Sequence, residues 1–288
     1  MMIEKIFIPT VKRVENQITY QNLSPSLRER VVMVVQAWER PEYKYDCEYL
    51  VLPDTPEYHY SDYYCLPKTR KLIYEAGKDI KYSILDDDIT FYKRNTKYFG
   101  EDSNMEKSRK VASHSEVEDM FSLFDEWLDE PEVTVCGCAQ LQNPPFPTLY
   151  ANNSSLTSTY WINGSDFKDL LPTLDLTSVR MGEDVCFLLS LLVNGFGNRV
   201  SNEYVIANQS VASKTFGSVL WDSQRIEQTE KDHKTLAKMF PGIYNIVYQA
   251  GGGNTRQEGG YRNQGKSSIK WSKAYKYFDN TLENFFNN

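Results

Sequence analysis

Tyr82-Ser83-Ile84-Leu85-Asp86-Asp87-Asp88 joins a short apolar run to three consecutive acids. Its length and its abrupt end predict a strand that stops at Leu85. Upstream, Ile3 to Pro9 predicts a first strand. Leu27 to Trp38 carries Val31-Val32-Met33-Val34-Val35, a run suited to a strand covered on both faces. Cys47 to Pro53 holds a third run, Tyr49-Leu50-Val51-Leu52. Thr69 to Gly77 reads as a helix with Gly77 as its stop. Strands alternating with helical or turn segments predict an α/β fold of Rossmann type, with a mostly parallel sheet flanked by helices.

Downstream, Ser113 to Glu130 predicts a helix. Glu116, Glu118 and Asp119 favour its N-terminal half, where the dipole is positive, and Pro131 ends it. Val133 to Ala139 predicts a strand. Within it, the alternation of Cys136-Gly137-Cys138 points both thiols to one face. Gln142 to Ser158, rich in Asn, Pro and Ser, reads as a long loop. Tyr160 to Ile162 reads as a short strand, and Asp184 to Asn194 as a helix closed by Asn194-Gly195. Gln224 to Phe240 reads as a helix ending at Pro241-Gly242. Ala250-Gly251-Gly252-Gly253-Asn254 then opens a polar, basic stretch. The expected division is a domain over 1–245 and a basic, aromatic-rich C-terminal extension over 246–288.

With 288 residues, 41% of them apolar and 25% charged, the chain has material for a substantial core and needs no staples. Its formal charge of -7 argues against a nucleic-acid partner, because neutralising phosphates needs clustered Lys and Arg. The charge is uneven, however. Arg256, Arg262, Lys266, Lys270, Lys273 and Lys276 face a single anion, Glu258, between Gln249 and Tyr277. Lys68, Arg70 and Lys71 form a second basic cluster, and Lys93, Arg94 and Lys97 a third, so an acidic chain can still present a basic face. The five cysteines show no CxxC spacing and there are only three His. This predicts reduced, half-buried thiols and no zinc site. No run approaches the ~18 apolar residues of a membrane span. Met1-Met2-Ile3-Glu4-Lys5 lacks the pattern of a signal peptide, so no membrane association and a cytoplasmic location are expected.

The acids after the fourth strand fall where ligands of open α/β sheets gather, at the carboxyl ends of strands. In extended geometry Asp86 and Asp88 face the same way and would repel unless a cation sits between them. Mg²⁺ or Mn²⁺ suits such oxygen ligands and leaves positions free for a diphosphate. A solvated acidic turn is the plainer alternative. A second acidic pair lies in Arg180-Met181-Gly182-Glu183-Asp184-Val185, at the start of a predicted helix. There Asp184 serves either as a helix cap or as a general base.

In these stretches the chain resembles the glycosyltransferases associated with TET/JBP-type dioxygenases of bacteriophages, a branch of the GT-A fold. The resemblance rests on Ile8-Pro9-Thr10 with Arg13, Val34-Val35-Gln36 with Glu39, Val51-Leu52-Pro53 and Lys68-Thr69-Arg70. It continues through Leu85-Asp86-Asp87-Asp88-Ile89-Thr90-Phe91-Tyr92 and Glu183-Asp184 to Gly195-Phe196-Gly197-Asn198-Arg199. It implies a GT-A-like sheet, a UDP-sugar donor and a divalent metal (Mn or Mg). The implied acceptor is a 5-hydroxymethylpyrimidine, with 5-hydroxymethylcytosine expected, in double-stranded phage DNA, and hence a site of action in the host cytoplasm. Thr10, Arg13, Gln36 and Arg70 are expected at the nucleotide, Asp86 and Asp87 at the sugar nucleotide, and Asp88 with Asp86 at the metal. Glu183-Asp184 matches the pair that supplies the base in inverting members, with Asp184 preferred and Glu183 its rival.

Such folds often add a C-terminal His to the metal, and His233 is the late candidate; a solvated helix position is its other reading. The basic C-terminal stretch reads either as a solvated tail or as a DNA contact with Tyr261, Trp271, Tyr275 and Tyr277 interleaved for stacking. Two other functions fit the same residues: a GT-A enzyme acting on a glycan, protein or small molecule, and a non-catalytic DNA-binding protein on this fold. No obligate protein partner is expected.

Overall fold

The computed structural model of the chain describes residues 2–62, 65–95, 97, 109–143, 148–180, 182–208, 223–247 and 266–275. Tyr261, Tyr277, Arg256, Arg262, Lys276 and the glycine run lie outside these residues.

Strand β1 (Lys5–Pro9) leads through two short helices, α1 (Ile18–Asn22) and α2 (Pro25–Arg28), to β2 (Val31–Val35) and β3 (Glu48–Val51). Helix α3 (Cys65–Gly77) returns to β4 (Lys81–Leu85), followed by β5 (Ile89–Arg94), β6 (Arg109–Val111), α4 (His114–Trp127) and β7 (Val135–Gln140). Then come β8 (Tyr150–Asn152), β9 (Thr159–Asn163), α5 (Gly164–Phe167), α6 (Glu183–Val193) and β10 (Asn198–Asn208). The described chain ends with α7 (Ser223–Met239), β11 (Tyr244–Val247), β12 (Lys266–Ile269) and α8 (Trp271–Ala274).

Among the described residues, the first ten strands form one sheet with the central order β3-β2-β1-β4-β9-β7-β10-β5-β6, and β8 pairs with β10. Strands β1 to β4, β6, β7 and β10 point one way, and β5, β8 and β9 point the other. The sheet is therefore mixed but mostly parallel, with helices on both faces, as a GT-A-like α/β fold requires. On one face Leu23 just after α1, Leu27 of α2, and Met120, Phe121 and Phe124 of α4 pack against alternate residues of β1 and β2. On the other, Ile73 and Tyr74 of α3 and Phe187, Leu188 and Leu191 of α6 meet Phe7, Val32, Val34 and Ile84. Every residue of β2 is buried, as its unbroken apolar run demands.

Local signals explain the well-read elements. Ser113 and Glu116 form a reciprocal capping box that starts α4. Gly195, at φ +86°, ends α6 in a Schellman turn, with Phe196 N–H bonded to Leu191 O and Gly195 N–H to Leu192 O. Gly77 closes α3 for a different reason: a Cβ there would lie 2.4 Å from the ring of Tyr82.

Several expectations change. The third apolar run forms an edge strand, half-exposed to exposed along its length. The stretch read as a loop over 142–158 contains β8. Strand β10 was hidden by Asn198, Asn202 and Glu203, yet it pairs with three neighbours. Its buried Asn198 is satisfied by the 153–154 backbone, with Ser154 N–H on Oδ1 at 2.8 Å and Nδ2 on Ser154 O at 2.8 Å. The cysteines are all free, but Cys65, Cys136, Cys138 and Cys186 are fully buried, and only Cys47 is half-buried. Cys136 and Cys138 do share one face, against α4. Strand β11 runs across the 245/246 division and pairs with β12. Ala274 of α8 packs with Leu236 and Phe240 beside α6, so residues 266–275 share a core with α7. No helix among the described residues is long and apolar enough to cross a membrane.

Candidate active site

The strand order reverses direction between β1 and β4, which makes a crevice at the carboxyl ends of β1, β2 and β4. A cleft of about 500 Å³ opens there, within the range of small-molecule sites. Thr10 and Arg13 reach it from the end of β1, Gln36 from β2, Arg70 from α3, and Glu183 and Asp184 from α6. Asp86, Asp87 and Asp88 all line it. They lie in the turn between β4 and β5, so the extended alternation expected for them does not apply.

Buried Thr19 of α1 shapes that turn. Its hydroxyl donates to Asp86 O, its N–H donates to Asp87 O at 3.2 Å, and its oxygen accepts Ile89 N–H at 2.8 Å. Each acid then has its own partners. Asp86 Oδ1 accepts from Arg70 Nη2 at 3.2 Å. Asp87 takes the Thr10 hydroxyl at 2.6 Å and Arg13 Nη1 at 2.9 Å. Asp88 takes Arg13 Nη2 at 3.3 Å and, at 2.9 Å, the side-chain amide of Asn208 at the end of β10. Gln140 Nε2 in turn lies 3.4 Å from Asn208 Oδ1 and 3.1 Å from Thr157 Oγ1, so neighbouring strands orient Asp88. Thr19, Gln140 and Asn208 were not foreseen. Thr19 precedes the acids by 67 residues and Asn208 follows them by 120, and neither lies in a recognisable motif.

Arg70 spans the two acidic groups. Its Nε stands 3.5 Å from Glu183 Oε1, and the Tyr160 ring centroid lies 5.4 Å from its guanidinium carbon. Its Nε and Nη1 are buried and make no hydrogen bond among the described residues. Gly182 occupies the N-cap position of α6 at φ +92°, and Glu183 and Asp184 fill the first turn, where Asp184 Oδ1 accepts the Val185 N–H at 2.8 Å. Burial raises the carboxyls of Asp86, Glu183 and Asp184 above the usual range, and pushes Asp87 up to about 7 against the pull of Arg13. His233 is half-buried, shares a hydrogen bond with the Tyr244 hydroxyl, and is not among the residues lining the cleft.

The cleft thus gathers Asp86, Asp87, Asp88, Glu183 and Asp184 against Arg13, Arg70 and Arg180. That leaves an excess of negative charge that a divalent cation would offset. Among the described residues no three acidic, His or Cys side chains converge to cage an ion by themselves. A hard cation such as Mg²⁺ can take only one or two carboxylates and complete its shell with phosphate oxygens and water. Asp88, with Asp86, would hold it.

No curated protein matches the chain. A family model, TET-associated glycosyltransferase, matches residues 4–217. That span takes in the whole central sheet and every cleft residue named above, stopping before α7. The chain therefore belongs to the TET-associated glycosyltransferase family.

Proposed function

We propose that this glycosyltransferase moves a sugar from a UDP-sugar to the hydroxyl of a 5-hydroxymethylpyrimidine, 5-hydroxymethylcytosine being the expected base, in double-stranded DNA. One observation carries the reading: the acids after β4 and the acids opening α6 face a single cleft at the switch point of the sheet, bridged by a buried arginine. A divalent ion bound there would act as the Lewis acid that neutralises the departing diphosphate.

Arg13 and Arg70 supply further positive charge at the cleft. Gln36 and Thr10 line the nucleotide side of the cleft. Arg70 stands 3.5 Å from Glu183, and Asp184 Oδ1 accepts the Val185 N–H at 2.8 Å; of the two, Asp184 is taken as the base, as the family resemblance implies, with Glu183 its rival. Its burial makes it a stronger base than a solvated aspartate. Asp184 takes the proton of the acceptor CH₂OH while that oxygen bonds to the anomeric carbon. The bond from that carbon to the diphosphate oxygen breaks, and UDP leaves with the electron pair. Attack from the opposite face predicts inversion.

The test is mass spectrometry of nucleosides from hydroxymethylated DNA treated with the protein and a panel of UDP-sugars. A glycosylated nucleoside is expected, lost in Asp88→Ala together with metal dependence. Asp184→Asn is expected to bind UDP normally and transfer nothing. Full activity in Asp88→Ala, or no product with any donor, would overturn the reading.

A further inference from the structure

Glu183 and Asp184 open α6, whose N-cap position is Gly182, and within the first turn Asp184 Oδ1 accepts the Val185 N–H at 2.8 Å. The backbone just before it is held from α7. Asp232, only 1% exposed, accepts the backbone N–H of Arg180 on Oδ2 at 3.2 Å. Gln228 Nε2 donates to its other oxygen at 2.8 Å. Four residues on, and so on the same face of α7, buried Leu236 lies against Gly182: a Cβ added at Gly182 would sit 3.2 Å from Leu236 Cδ1. One helix therefore meets both Arg180 and Gly182, the first by a hydrogen bond and the second by contact.

A carboxylate is a costly group to bury merely to fill space, because its charge must be compensated by hydrogen bonds. Here one of those bonds comes from the backbone N–H of Arg180, just before the acids of the cleft, and another from Gln228 on the same helix. The family match ends at residue 217, before α7 begins, so this grip comes from a part of the chain the match does not cover.

We propose that Asp232 is a positioning residue for the proton acceptor: acting through the Arg180 N–H and the Gly182 turn, it sets the placement of Asp184 relative to the acceptor hydroxyl. The claim rests on the reading of Asp184 as the base. Misplacing a reacting group by an ångström from a distant position costs about 100-fold in rate.

The experiment compares Asp232→Leu, which removes the acceptor oxygens, with Asp232→Asn, which keeps one, in the full-length chain. Readouts are kcat, the KM for the UDP-sugar, and UDP affinity by calorimetry. Asp232→Leu should lose about 100-fold in kcat with UDP affinity unchanged, and Asp232→Asn should recover most of the rate. Gly182→Ala, which strains the same turn from its other side, should repeat the signature of Asp232→Leu and serves where that variant does not fold. Wild-type kcat in Asp232→Leu, a fall in UDP affinity matching the fall in kcat, or an Asn variant as slow as the Leu variant would each overturn the proposal. An active Asp184→Asn would instead sink the assignment of the base, so the two failures are told apart.

Discussion

Replacing Arg70 with methionine should destabilise the protein in a way that depends on pH. The Arg70 side chain is 6% exposed, and it stands 3.2 Å from Asp86 and 3.5 Å from Glu183. Methionine fills most of the space but leaves two partly buried acids without their shared cation. Breaking a buried ion pair from one side costs about 3–5 kcal/mol. Two of the arginine's own donors have no partner, so Arg70 is itself incompletely satisfied. The lower end, about 3 kcal/mol, is therefore expected. At roughly 2–3 °C per kcal/mol for a chain of this size, the melting temperature should fall by about 6–9 °C near pH 8.

The pH dependence follows from the carboxyls. Burial already raises Asp86 and Glu183, and Arg70 is what lowers them. Without it both rise further. A carboxyl raised on folding binds more protons in the folded state, so its stabilisation is present in acid and is lost as the pH rises through the folded value. The defect should therefore shrink near pH 5.5, where these acids take up protons, and adding Glu183→Gln should recover part of it. Thermal unfolding followed by circular dichroism at the two pH values is the assay. A melting temperature within about 2 °C of wild type near pH 8, or a deficit of equal size at both, would refute the account of Arg70 as the cation shared by two partly buried acids.

Two other outcomes test the site. Asn208→Leu, which removes the amide from Asp88, should weaken Mn²⁺ binding in the presence of UDP by about 10–100-fold, as losses around metal ligands commonly do; electron paramagnetic resonance of free Mn²⁺ measures it, and unchanged affinity would deny Asn208 any part in orienting Asp88. Because burial raises Glu183 and Asp184, and a base works only when ionised, kcat/KM should decline on acidification from near neutrality rather than near the ordinary carboxylate range. A profile flat down to about pH 5 would contradict that.

Much of the framework could be read directly. The apolar runs of β1, β2 and β4, the acids after β4, the Ser113 start of α4 and the Gly195 end of α6 are local features. Each depends on residues within a few positions of one another, and the structure places them as expected. Strand β10 could not be read that way. Its asparagines look like loop residues until the 148–154 backbone is brought alongside to bond them. The Asp86–Asp88 alternation failed for a related reason: Thr19 bends those residues into a turn from a helix far upstream.

By itself, then, the amino-acid sequence determined an α/β sheet with a carboxylate cluster at a strand end, because apolar periodicity and capping act over a few residues. Only the tertiary structure decided which cation meets which acid. Arg70 joins Asp86 to Glu183, Asn208 reaches Asp88 across 120 residues, and Asp232 reaches Arg180 across 52. The reason is physical. Whether a buried charge is tolerable depends on the partner that faces it, and that partner is chosen by packing, not by neighbourhood along the chain.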